Sequence, residues 1–143
     1  MTAKEYLSQI RKCDNQINNK LAEIKRLREF ATSITSTLKE DVVQSGSGGK
    51  SRVAEAVDKI VDLEREINAD IDKLVDLKRE IMSVIDQIDS PYRDILYKRY
   101  YQYATWEQIS VEMNYSYRHT TRMHGRALLK LKDVLECPIE ADV

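Results

Sequence analysis

The sequence predicts an all-α protein: an antiparallel long-helix coiled-coil hairpin followed by a three-helix helix-turn-helix unit. Three observations lead there. The 143 residues are 33% charged but hold only four glycines and two prolines, a balance of helix formers with too few turn residues for many strands. Apolar residues recur every seven positions through two long stretches. After a break at Asp89-Ser90-Pro91, shorter helical patterns alternate with cap and turn residues.

The first long stretch, Met1 to Leu38, carries Ile10, Ile17, Ile24, Ala31 and Leu38 in heptad register, broadened by Leu7, Leu21, Leu27 and Ile34. At about 1.5 Å per residue it reads as a helix of roughly 57 Å. The second carries Val53, Ile60, Ile67, Leu74, Ile81 and Ile88, flanked by Val57, Leu63, Ile71, Leu77, Val84 and Ile85. Matched helices joined by a short Gly/Ser segment cover each other's stripe by folding back, which assigns residues 1–89 to a hairpin with its bend at about 40–51. One continuous helix would instead place Gly46, Gly48 and Gly49 in its interior at roughly 1 kcal/mol each. Each stripe is wider than a single partner covers, so a second protomer or another protein is expected to pack on it.

The bend reads Ser45-Gly46-Ser47-Gly48-Gly49-Lys50-Ser51 and ends like a phosphate-cradling P-loop. That loop requires a glycine where Gln44 stands, a preceding strand, and an acidic metal ligand at a strand end, and none is present. Nucleotide binding is not expected; Ser51 is assigned as N-cap of the second helix and the glycines as an exposed bend.

Charge and aromatic residues are segregated. Between Tyr92 and Lys132 eight basic residues face three acidic ones, a net of +5, while the rest of the chain has 15 basic and 21 acidic residues, a net of -6. Seven of the eight tyrosines and the single tryptophan lie between Tyr92 and Tyr117. Ser90 and Pro91 suit the N-cap and first position of a helix. Thr105 and Ser116 stand where two further N-caps are needed, and Asn114 tolerates the left-handed conformation of a tight turn between them. Residues 90–135 thus form the helix-turn-helix unit, with 136–143 as a flexible tail.

The segment "ILYKRYYQYATWEQISVEMNYSYRHTTRMHGRALLKLK" resembles region four of bacterial sigma factors, the helix-turn-helix that reads the −35 promoter element. The shared marks are Ile95-Leu96, Arg99-Tyr100, Thr105-Trp106, Glu107, Ile109, Ser110, Met113, Ser116, Arg126-Ala127 and Leu131. The whole layout is similar to small sigma-like regulators encoded by prophages of Gram-positive bacteria. Four positions depart from the pattern: Asn114 replaces a turn glycine, Thr120 a valine, His124 a leucine, and Lys98 an apolar residue. Nothing resembles the sigma segment that melts the −10 element.

The resemblance implies a sequence-specific, phage-type transcriptional regulator, an activator acting with host RNA polymerase. With Thr120, His124, Ala127 and Leu131 turned inward, helical periodicity leaves Arg118 and Arg122 on the opposite face, one turn apart. The N-terminal part of a recognition helix enters the major groove, so Tyr117, Arg118, Thr121 and Arg122 are assigned to bases, the guanidinium fork matching guanine. Thr105, Ser116, His119, Arg126 and Lys130 are assigned to phosphates. Tyr97, Tyr100, Tyr101 and Tyr103 are read as a small core with a rim, and His124 as packed.

The expected partners are double-stranded DNA, host RNA polymerase and a second copy through the long helices. Alternatives are a DNA-packaging subunit like the small terminase of a phage, or a helical adaptor that does not bind DNA. No convergent carboxylate pair, nucleophile with base, or metal cluster is visible, so no enzyme activity, metal or cofactor is expected. Cys13 and Cys137 lack the spacing of a disulfide framework or zinc site. No secretory or membrane-spanning stretch is visible, which predicts a cytoplasmic protein.

Overall fold

The computed structural model describes residues 1–40 and 47–137, with backbone alone at 37–40 and 47–50. Every described element is helical: α1 (Ala3–Glu40), α2 (Ser47–Ile85), α3 (Tyr92–Tyr100), α4 (Trp106–Met113) and α5 (Tyr117–Glu136). The bend expected at about 40–51 lies partly outside the described residues, as does most of the tail expected at 136–143. Two expected helix starts are corrected. Helix α2 begins at Ser47, so Gly48 and Gly49 occupy its first turn and Ser51 is inside it rather than capping it. First-turn amides have no helical partner in any case, so glycine is less costly there than mid-helix. At α3 the cap position is Pro91, with no side-chain cap, and the helix starts at Tyr92. The Ser90 hydroxyl is instead engaged by Arg93 and Asp94, both at 3.3 Å.

The chain divides into two compact units, one formed by Met1–Lys12 with Leu74–Val143 and the other by Cys13–Lys73. The first unit unites the start of α1 and the end of α2 with the three short helices. Its main core joins Leu7 and Ile10 of α1, Ile81 and Ile85 of α2, Ile88, Leu96 and Tyr100 of α3, and Ala127 and Leu131 of α5. A smaller cluster, Ile95, Ala104, Ile109 and Met123, fills the space among α3, α4 and α5. Full burial of such aliphatic side chains stabilises by about 1.5–3 kcal/mol each. Tyr101 donates its hydroxyl to the Lys78 carbonyl, tying the segment after α3 to α2.

In the second unit low-numbered residues of α1 meet high-numbered residues of α2. Lys20 pairs with Asp70 at 2.6 Å and Glu66 at 3.5 Å, Arg28 with Glu64 at 3.0 Å, and the Cys13 thiol lies 3.5 Å from the Asp70 carbonyl. The heptad residues Ile17, Ile24 and Ile67 are buried, while Leu21, Phe30, Val57, Val61 and Ile71 stay 40–50% exposed. Among the described residues no helix is long and apolar enough to cross a membrane.

Candidate nucleic-acid interface

Helices α4 and α5 are defined by local chemistry. Thr105 caps α4 through a reciprocal box: its hydroxyl accepts from the Gln108 amide at 3.2 Å, and the Gln108 side chain accepts from the Thr105 amide at 2.9 Å. Asn114 ends α4 at φ 57°, ψ 42°, a left-handed conformation that asparagine adopts more readily than most residues. Tyr115 then donates its amide to the Ser110 carbonyl at 2.9 Å, and Ser116 caps α5 by accepting from the His119 amide at 3.1 Å. The first two turns of α5 are thereby fixed against α4.

Packing beneath this turn uses polar residues in place of apolar ones. Ser110 and Thr120 share a buried hydroxyl–hydroxyl bond of 2.9 Å; Ser110 also reaches the Trp106 carbonyl at 2.7 Å, and Thr120 the Ser116 carbonyl at 3.0 Å. Lys98 of α3 pairs with Glu112 of α4 at 2.6 Å. His124 places Nε2 2.8 Å from the Tyr100 hydroxyl and its ring edge-on to Trp106 at 4.5 Å. Burial, with the nearby Arg99 and Lys4 cations, lowers the His124 pKa to about 4. Burial raises that of Tyr100 to about 12, so a protonated phenol faces a neutral imidazole and the two are joined by a hydrogen bond at Nε2. Lys98, Thr120 and His124 each stand where the pattern has an apolar residue, and each has a partner. Sequence reasoning treated them singly because the pairs lie ten to twenty-four positions apart.

The residues assigned to bases lie together on the first half of α5. Tyr117 is half-exposed, Arg118 and Arg122 are exposed one turn apart, and Thr121, partly buried, donates to the Arg118 carbonyl at 3.0 Å. The phosphate set is more scattered. Thr105 and Ser116 are exposed, and each hydroxyl, while accepting as a cap, retains its proton for donation. Arg126 is exposed one turn beyond Arg122. His119 is partly buried edge-on to Tyr115, and Lys130 holds its ammonium 4.9 Å from the Tyr92 ring centre. The tyrosines divide: Tyr100 is in the core, Tyr101 and Tyr103 are partly buried, and Tyr97 is exposed and stacked on Tyr101 at 5.2 Å.

A comparison with protein-family models, curated proteins and solved structures found no match to this chain. Among the described residues no group of three His, Cys, Asp or Glu side chains is placed to hold a metal ion. Both cysteines are free thiols, Cys13 buried and Cys137 exposed.

Proposed function

We propose that this protein is a sequence-specific DNA-binding transcriptional regulator of phage type, with α4 and α5 as its helix-turn-helix and α5 as the recognition helix. The observation that carries the reading is the capped turn Asn114–Ser116, which holds α5 with Tyr117, Arg118, Thr121 and Arg122 on its outward N-terminal half. Recognition helices present that half to the major groove. The net of +5 between Tyr92 and Lys132 supplies attraction to phosphates, and the acidic remainder keeps the overall charge near neutral.

The long helices, read as an antiparallel coiled-coil hairpin, provide self-association or a contact for RNA polymerase. Support comes from the exposed apolar residues Leu21, Val57 and Ile71 beside the buried heptad positions. Activation together with RNA polymerase rests on the resemblance to sigma region four. A protein-binding adaptor is the second reading, favoured by Val111 and Leu129, which are 81% and 64% exposed on α4 and α5.

Mobility shifts of the full chain over a range of salt concentrations test the proposal. Arg118→Ala and Arg122→Ala should each cost about 1–3 kcal/mol on a preferred sequence and relax discrimination. Arg126→Ala should weaken all duplexes alike and flatten the salt dependence by about one unit of slope. Absence of binding at low salt would favour the adaptor.

A further inference from the structure

A cavity of roughly 160 Å³ lies on the other side of His124's packing partners, bounded by the first turns of α1, the end of α3 and the start of α4. Lys4, Arg11 and Arg99 bring three cationic groups to it, with Tyr103 and Trp106 as aromatic walls and no carboxylate among its lining residues. We propose that this cavity is a binding site for a small phosphate-type oxyanion, a function separate from the recognition face of α5.

Two features of the guanidinium groups fit an oxyanion. Arg99 lies over the Trp106 ring at 4.4 Å and Arg11 over the Tyr103 ring at 5.3 Å, so an aromatic surface covers one face of each cation. Stacking of this kind leaves in-plane N–H groups as the outlet for hydrogen bonding, and the planar fork matches phosphate oxygens. Arg99 uses one of its N–H groups on the Ala104 carbonyl at 3.0 Å, which fixes its orientation. Size restricts the ligand. The volume corresponds to about five waters at about 30 Å³ each, enough for phosphate or a phosphomonoester head and well below the roughly 300 Å³ at which drug-sized pockets begin.

The cost of assembling the site points the same way. Three like charges around one small space repel each other unless an anion joins them. Their field is felt next door, where Arg99 and Lys4 both contribute to holding His124 neutral. Tyr103 adopts φ 55°, a left-handed conformation that is unfavourable for a residue with a β-carbon, and in this conformation its ring lies under Arg11.

Trp106 is the only tryptophan of the chain and lines the cavity, so its fluorescence reports occupancy directly. The experiment titrates the full chain with inorganic phosphate at constant ionic strength, using sodium chloride to balance. A saturable change is expected, and Lys4→Gln and Arg11→Gln, both exposed positions on α1, should each raise the half-saturating concentration tenfold or more with helical circular dichroism unchanged. Lys25→Gln, outside the cavity, should titrate as the parent chain does. The proposal is overturned if chloride alone reproduces the change, or if Arg11→Gln binds phosphate as well as the parent. A blunt duplex that perturbs Trp106 where free phosphate does not also overturns it, placing the cavity under the DNA backbone instead. Failure of the recognition face is read separately, on Arg118 and Arg122.

Discussion

The two compact units bury the same kind of apolar stripe to different depths. Every described side chain that is completely inaccessible, from Leu7 and Ile10 through Ile81, Ile85, Ile95 and Leu96 to Ile109, Thr120 and Leu131, belongs to the unit containing the short helices. In the unit Cys13–Lys73 the best-buried residues, Cys13, Ile17, Ile24, Ala56 and Ile67, all retain 3–6% exposure, and Leu21, Phe30, Val57, Val61 and Ile71 are 40–50% exposed. Two helices cover one seam of each other, whereas five helical segments enclose a core. The start of α1 and the end of α2 are therefore part of one interior with α3, α4 and α5, and the remainder of the long helices keeps Leu21, Phe30, Val57, Val61 and Ile71 exposed.

Substitution in the enclosed core should show the contrast most strongly. Leu131→Ala or Leu96→Ala should lower stability by about 2–5 kcal/mol in urea denaturation, and Ile67→Ala in the long-helix seam by clearly less. Equal losses would mean that the seam is as closely packed as the core. Acid should act on the enclosed unit through His124. Its folded pKa of about 4 lies below the ordinary 6.5, so the unfolded chain takes up the proton first. The stabilisation is complete above about pH 6.5, falls away as pH drops toward about 4, and amounts to on the order of 3 kcal/mol. Denaturation midpoints at about pH 7 and about pH 4.5 should therefore differ more for the parent than for His124→Leu.

The hydroxyl pair offers a smaller effect. Thr120→Val and Ser110→Ala should each cost about 1 kcal/mol, and the double variant less than the two together, because each single change leaves one hydroxyl without its neighbour. Strict additivity would deny the pairing. Least affected should be Val57→Ser on the exposed flank of α2, at about 0.5 kcal/mol or less in folding stability. The same change should lower the association constant in sedimentation if the long helices self-associate.

Much of this was readable from local chemistry. The heptads located α1 and α2, Thr105 marked the start of α4, and Asn114 and Ser116 marked the turn between α4 and α5, because caps depend on side chains adjacent in sequence. The outward placement of Arg118 and Arg122 followed from helical periodicity. What was not legible depends on contacts between distant residues. Leu7 and Ile10 belong to an interior with Leu96 and Leu131, yet in sequence they look like any other part of the α1 stripe. Lys98, Thr120 and His124 are departures from the family pattern taken one at a time, and in space they pair with Glu112, Ser110 and Tyr100. Nothing in the sequence links Lys4 and Arg11 to Arg99 and Trp106, some ninety positions away, and only their approach in space makes a cavity of them.

The most direct measurement is selection of binding sites from a random duplex pool by the full chain, repeated with Arg122→Ala and with Arg126→Ala. The expected result is a defined motif for the parent, loss of preference at one or two base pairs for Arg122→Ala, and the same motif at weaker affinity for Arg126→Ala. No motif from the parent chain, or one unchanged by Arg122→Ala, would contradict recognition by the outward face of α5.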